Sequence, residues 1–224
     1  MPSEYHWYLN TDGMDSRCTR ADATARNRTL LLEAARRVFL ERGFNGATLE
    51  AIASAAGFSK GVVYSQFDSK ADLFLALLEE RQQERAGLHR EAAAGLAGPE
   101  GVLDLLALWD RDKDRDAPWM LLVMEFRVQA ARDAGVNARY AALHERTLDG
   151  VAATLETIFA NALLPLPLPA RLLAQAVLAL SVGVALERAA DARALPVADA
   201  RLVIGRLFSG ASASSGASPR RSPR

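Results

Sequence analysis

From residue 26 to 42 the apolar positions Leu30, Leu31, Ala34, Ala35, Val38 and Phe39 recur at three- and four-residue steps, with Arg28, Glu33, Arg36, Arg37 and Glu41 on the opposite side. That spacing predicts an amphipathic helix. Gly43 ends it. Thr48 is placed to cap a short helix from Leu49 to Ala56, because its hydroxyl can accept from an unpaired N–H of the first turn. Gly57 ends that helix, since glycine takes a left-handed terminal conformation without steric cost. Ser59 is placed to cap a third helix of about two turns, from Lys60 to Phe67. Ser69 with Asp72 resembles a capping box that opens a longer helix to about Arg85. Phe44, Leu49, Ile52, Ala53, Phe58, Val63 and Phe67, with Leu73, Phe74 and Leu77, are expected to close one core.

The rest of the chain also reads as helices. Gly95 to Gly98 and Pro99 precede a helix over 100–111, and the charged run DRDKDRDA reads as a solvated link to the next, opened by Pro118. Helices are predicted over 119–133, 137–163, 169–191 and 197–208, with LPLPLP as an extended connector. No strand pattern competes. The expected class is all-α with about nine helices.

A short helix, a glycine turn and a second short helix is the spacing of a helix-turn-helix, whose second helix enters a DNA groove. On that helix Val63 and Phe67 are four apart and should face the core. Ser59, Lys60, Gly61, Val62, Tyr64, Ser65 and Gln66 are left for the groove or its walls. Gly61 allows close approach, Gln66 is suited to adenine, and Val62 to a thymine methyl. Tyr64 can also be read as a ring closing the head, and Arg36 and Arg37 as a solvated face.

The run from Ala34 to Phe74, AARRVFLERGFNGATLEAIASAAGFSKGVVYSQFDSKADLF, resembles the tetracycline-repressor-type (TetR/AcrR) transcriptional regulators. The likeness rests on Phe39, Gly43, Phe44, Thr48, Ile52, Ala53, Gly57, Ser59, Lys60, Gly61, Tyr64, Phe67, Ser69, Lys70, Leu73 and Phe74. It implies a three-helix DNA-binding head and a helical ligand-binding and dimerisation bundle. It further implies a pseudo-palindromic operator, a small-molecule effector, and phosphate contacts by Thr48, Tyr64 and Lys70. The pattern departs from the family's commonest one at Val62 and Ser65, where threonine and an aromatic are frequent. The expected divisions are 1–24 as a disordered extension, 25–70 as the head, 71–209 as the body and 210–224 as a disordered tail. Met14 is an alternative to Met1 as the first residue. An arginine-bearing arm from Arg17 to Arg28 entering the minor groove is a further reading of the N-terminal stretch.

Composition narrows the class. The chain has 224 residues, half of them hydrophobic, enough for a small head and a larger body. Net charge is +0, which argues against coating nucleic acid by bulk charge and leaves site-specific binding through a local basic surface. The single Cys18 excludes an internal disulfide and a multi-cysteine zinc site. The most apolar stretch, residues 172–186, falls short of the ~20 residues of a membrane span, so the expectation is a cytoplasmic protein with no membrane partner.

Residues 172–186 carry only Gln175 and Ser181 as polar groups, so the helix is apolar nearly all round and must be covered nearly all round. A second subunit is the natural cover, using Leu173, Ala176, Val177, Leu180, Gly183 and Val184 with Val203 and Leu207. The resemblance implies a pocket near Trp109, Trp119, Met120, Met124, Phe126, Tyr140 and Phe159, suited to a hydrophobic or aromatic effector, each of them also readable as core. Glu125 interrupts an apolar run and needs a partner. Arg132 and Arg139 are candidates, or Glu125 anchors a ligand. His6, His89 and His144 do not cluster, and no nucleophile, base and orienter set stands out. Neither an enzyme nor a cofactor is expected. The alternative function is a helical adaptor whose helix-turn-helix contacts protein.

Overall fold

The computed structural model describes residues 20–111, 113–191 and 193–209. The expected disordered stretch 210–224, residues 1–19 and the side chains of Trp109 and Leu207 lie outside the described residues. Among those described, nine helices and no strand appear: α1 Arg20–Gly46, α2 Leu49–Ala55, α3 Lys60–Tyr64, α4 Lys70–Ala94, α5 Gly98–Arg111, α6 Lys113–Ala130, α7 Ala134–Asn161, α8 Ala170–Ala190 and α9 Val197–Ser209. The fold is all-α, as the periodicity predicts.

Two of the three expected caps form. Thr48 accepts from the Ala51 N–H at 3.1 Å and Ser69 from the Asp72 N–H at 3.1 Å. Ser59 makes no side-chain cap. Asp133 caps α7, accepting from the Gly135 and Val136 amides at 2.9 and 3.0 Å.

Several boundaries differ from expectation. α1 begins at Arg20, so residues 20–24 of the expected extension and 20–28 of the arginine-bearing arm are helical. Of the charged run before Pro118, the residues up to Arg111 end α5 and those from Lys113 open α6, so that Pro118 lies inside α6. Pro118 has no N–H to donate to the preceding turn, so α6 runs through it with one i→i−4 bond missing. α4 continues past Arg85 to Ala94, so it reaches the far end of the body.

The core has two parts. One gathers Leu31, Ala35, Phe39, Phe44, Ile52, Val63, Phe67, Leu73 and Phe74 of the head and first turns of α4. It continues without a break into Trp119, Leu122, Phe126 and Ala130 of α6 and Leu143 of α7. The other joins the end of α4 to α5, α7 and α8 through Val102, Leu105, Leu155, Ile158, Phe159, Leu173 and Val177. The head therefore shares its apolar interior with the body, through an aromatic stack in which Phe74 lies 5.0 Å from Phe39, 4.6 Å from Phe126 and 5.9 Å from Trp119.

Candidate nucleic-acid interface

α2 and α3 are held against α1 by Ile52, Ala53 and Val63, all buried. Arg37 of α1 donates to the Ala55 carbonyl at 3.2 Å, satisfying the end of α2. This leaves Ser59, Lys60, Gly61, Tyr64 and Ser65 on the outer surface, with Thr48 exposed beside them. Tyr64 is 46% exposed, so its ring is not a closing piece of the head core. Lys60 pairs with Glu50 of α2 and lies 5.5 Å from the Tyr64 ring centroid. The hydrogen bond from Lys60 holds Glu50 below the usual carboxylate range, and Glu50 in turn raises Lys60.

Gly61 carries information that neither cap nor core explains. A Cβ built there meets only the Ser59 hydroxyl, at 3.8 Å, so the protein's own packing does not demand glycine. Glycine inside a helix costs about 1 kcal/mol relative to alanine.

Three expected contacts are placed otherwise. α3 stops at Tyr64, and the Gln66 and Phe67 amides both donate to the Val63 carbonyl, at 3.0 Å each, tightening the chain into a turn. Gln66 consequently lines a polar cleft between head and body instead of a groove-facing helix surface. Val62 is half-buried against the head core. The Lys70 ammonium donates to the carbonyls of Phe44 at 2.6 Å, Asn45 at 3.3 Å and Ala47 at 2.9 Å, and lies 4.6 Å from the Phe44 ring centroid. Its three protons are spent on the open carbonyls at the end of α1, leaving none for a phosphate.

The cleft occupies about 420 Å³. Arg28, Gln66 and Asp68 line it from the head, Asp72 and Glu79 from α4, Arg139 and Arg146 from α7. Arg146 reaches Glu79 at 2.8 Å, and Arg139 pairs with Asp72. Burial works to raise Asp72, but the Arg139 and Ser69 hydrogen bonds outweigh it and hold the carboxyl below its usual range.

Among the described residues, the expected ligand residues do not line one common cavity. Trp119, Phe126 and Tyr140 pack in or against the aromatic core shared with the head, whereas Phe159 lies in the second core, and Met120 and Met124 are half-buried. A void inside the body is lined by His89, Val102, Leu105, Leu106, Val151, Thr154, Leu155 and Val177. It measures about 10 Å³, roughly room for one water. Burial, with Arg85 nearby, pulls the His89 pKa down to about 4. Glu125 pairs with neither Arg132 nor Arg139. Its carboxylate accepts from the Phe44 N–H at 2.8 Å, beside the break in α1 at Gly43.

On α8, Leu173 and Val177 are buried in the body and not on a dimer face. Ala176 is exposed, while Leu180, Gly183 and Val184 are half-buried. The outward apolar surface runs through Leu172, at 49% exposure, and Leu186, at 46%, with Leu202 and Val203 exposed on α9. α8, at 21 residues, is long and apolar enough by length and composition to cross a membrane, longer than the 15-residue stretch suggested. Its start is tied to the body, since Arg171 pairs with Glu145 and Asp149 of α7.

A short exposed helix buttressed by α1 and α2, on a bundle continuous with it, defines a helix-turn-helix protein with a helical body. Residues 31–77 match the model of bacterial regulatory proteins of the tetR family. The chain is 30% identical over 128 residues to the HTH-type transcriptional repressor AcnR of Corynebacterium glutamicum, covering 57% of this chain and 63% of that repressor. The chain thus matches under two thirds of that relative's length. Among solved structures it resembles FadR of Bacillus subtilis in complex with stearoyl-CoA, with a TM-score of 0.66 at 16% identity, covering 81% of this chain and 98% of that one. GusR of Salmonella enterica gives a TM-score of 0.67 at 24% identity, covering 86% and 97%. These two likenesses concern the fold.

Proposed function

We propose that the chain is a homodimeric, ligand-responsive transcriptional regulator of the cytoplasm, a repressor released from a pseudo-palindromic operator by a small hydrophobic or aromatic effector. The observation that carries it is the outer face of α3, where Lys60, Gly61, Tyr64 and Ser65 stand exposed together with Thr48 at the start of α2. Thr48 and Tyr64 supply phosphate contacts that set register, and the backbone at Gly61 comes closest to the base edges. Lys70 builds the head and does not touch the phosphates.

Dimerisation uses the outward face of α8 and α9, with Leu172, Ala176, Leu186 and Val203. A two-fold pair places two α3 helices about one helical turn apart on DNA. The effector enters the body between α4, α5, α7 and α8, where the apolar lining around His89 and Thr154 must open to admit it. An apolar effector agrees with that lining and with the acyl-CoA ligand of the Bacillus subtilis neighbour. Its binding shifts α4, which runs unbroken from the head to the far end of the body. By reciprocity, the effector and DNA then weaken each other by typically ~1–3 kcal/mol.

A mobility-shift experiment on DNA flanking the protein's own gene, at two salt concentrations, tests this reading. A discrete complex weakened by salt and by Tyr64→Ala, and abolished by Gly61→Glu, is expected. A helical adaptor would show no salt-dependent complex on any fragment from a genome-wide selection, and that result would sink the proposal.

A further inference from the structure

We infer that Glu125 makes α6 a second connection between body and head, acting through the Phe44 amide and additional to the covalent one through α4. Phe44 is held at every polar and apolar group it has. Its N–H donates to Glu125 at 2.8 Å and its carbonyl accepts from Lys70 at 2.6 Å. Its ring lies 5.8 Å from Phe39, 5.3 Å from Phe74 and 5.1 Å from Phe126. Glu125 and Phe126 are consecutive on α6, so one turn of that helix grips both the backbone and the ring of a single residue of the head.

Only the residues from Asn45 to Ala47 separate Phe44 from Thr48, the cap of α2. Lys70 fixes the carbonyls of Asn45 and Ala47 within that linker. A displacement of α6 along its axis therefore carries the start of α2, and with it the pose of α3, with no slack segment to absorb the motion. Gly43 is built for the grip. It sits at φ 70°, ψ 173°, and a Cβ there would lie 2.7 Å from one Glu125 carboxylate oxygen and 3.1 Å from the other. Burial alone does not call for this bond, because Glu125 is an exposed carboxylate reaching an amide 81 positions away. A charge-assisted bond to a backbone N–H is short and directional, which a position-transmitting contact requires.

Glu125 is thus a positioning residue for the DNA-reading head, and this role rests on the regulator reading above. The experiment is hydrogen exchange on the full-length protein, free and bound to the DNA fragment found by mobility shift, in wild type, Glu125→Gln and Glu125→Ala. In the free protein the Phe44 amide should exchange on the order of tenfold faster in Glu125→Ala and near the wild-type rate in Glu125→Gln, whose amide oxygen still accepts. DNA should slow exchange across residues 119–130 in wild type and Glu125→Gln but not in Glu125→Ala. Loss of DNA binding in a folded Glu125→Ala dimer, kept in Glu125→Gln, supports the inference equally. Unchanged Phe44 exchange, or equal protection of 119–130 in all three proteins, overturns it. If wild type binds no DNA, the regulator reading fails while the Phe44 comparison still decides whether α6 grips the head.

Discussion

Replacing Gly43 by alanine tests the junction between head and body more sharply than any core truncation. Gly43 occupies φ 70°, ψ 173°, a region open essentially to glycine alone. Holding alanine there costs roughly 1–3 kcal/mol. The added methyl would also meet the Glu125 carboxylate at 2.7 Å. That carboxylate is the free end of a flexible side chain, so the clash is relieved by rotation, but rotation abandons the Phe44 N–H. Losing a charge-assisted bond to a buried donor costs about 1.5–3 kcal/mol. Gly43→Ala should therefore destabilise by about 4 kcal/mol, a large part of the ~5–15 kcal/mol of an ordinary domain. Urea unfolding followed by tryptophan fluorescence measures it, since Trp119 stacks on Phe74 in the same cluster. In a Glu125→Ala background the second part is already gone, so Gly43→Ala should cost only the backbone part, a coupling of about 2 kcal/mol. Equal costs in both backgrounds, or a loss below about 1 kcal/mol in wild type, would refute the reasoning.

Lys70→Met should lower stability by about 2 kcal/mol by uncovering the carbonyls of Phe44 and Ala47. It should leave the salt slope of DNA binding at its wild-type value, whereas removing a phosphate contact would reduce the slope by about 1; a titration of affinity against salt distinguishes the two. His89 is held neutral with a pKa of about 4 against an ordinary 6.5, so the unfolded chain binds the extra proton between those values. Its stabilisation is complete above pH 6.5 and is lost as pH falls toward 4. Discounted for partial exposure, the loss is about 2 kcal/mol, and thermal melts from pH 7.5 to 4.5 should show it flattened in His89→Gln. The His144 pKa is lowered by burial and adds in the same direction. Leu186→Glu should convert the dimer to folded monomer in sedimentation, whereas Leu173→Ala should cost about 2–5 kcal/mol of stability without dissociating it first; a Leu186→Glu protein that sediments as a dimer places the interface elsewhere.

Much of the head was legible because its determinants are local. Caps at Thr48 and Ser69, the stop at Gly57 and the apolar spacing of α1 each act within one or two helical turns, and the starts of α2 and α4 and the turn at Gly57 stand where the spacing put them. The inner face of α3 was legible too, since Val63 and Phe67 are buried as their four-residue spacing requires. The end of α3 was not. Whether Gln66 continues the helix or turns toward the body depends on the cleft beside it, which α7 helps to line from more than seventy positions away. Lys70 had the look of a phosphate contact because the family resemblance implies one at that position. Only the folded chain brings the end of α1 under its ammonium. On α8 the apolar residues outnumber what one face needs, so the pattern could not say which of them α7 covers. Packing against α7 takes Leu173 and Val177 and leaves Leu172 and Leu186 outside.

The sequence by itself determined an all-helical chain with a helix-turn-helix near its start, because helix formation, capping and termination are governed by neighbours within a few residues. Tertiary structure alone decided the partners of Glu125 and Lys70, the merging of head and body into one aromatic core, the dispersal of the supposed pocket residues between two cores, and the face that α8 turns outward. Each of these depends on groups far apart in the chain meeting in space, and no local pattern encodes which distant carbonyl, amide or ring a side chain will meet.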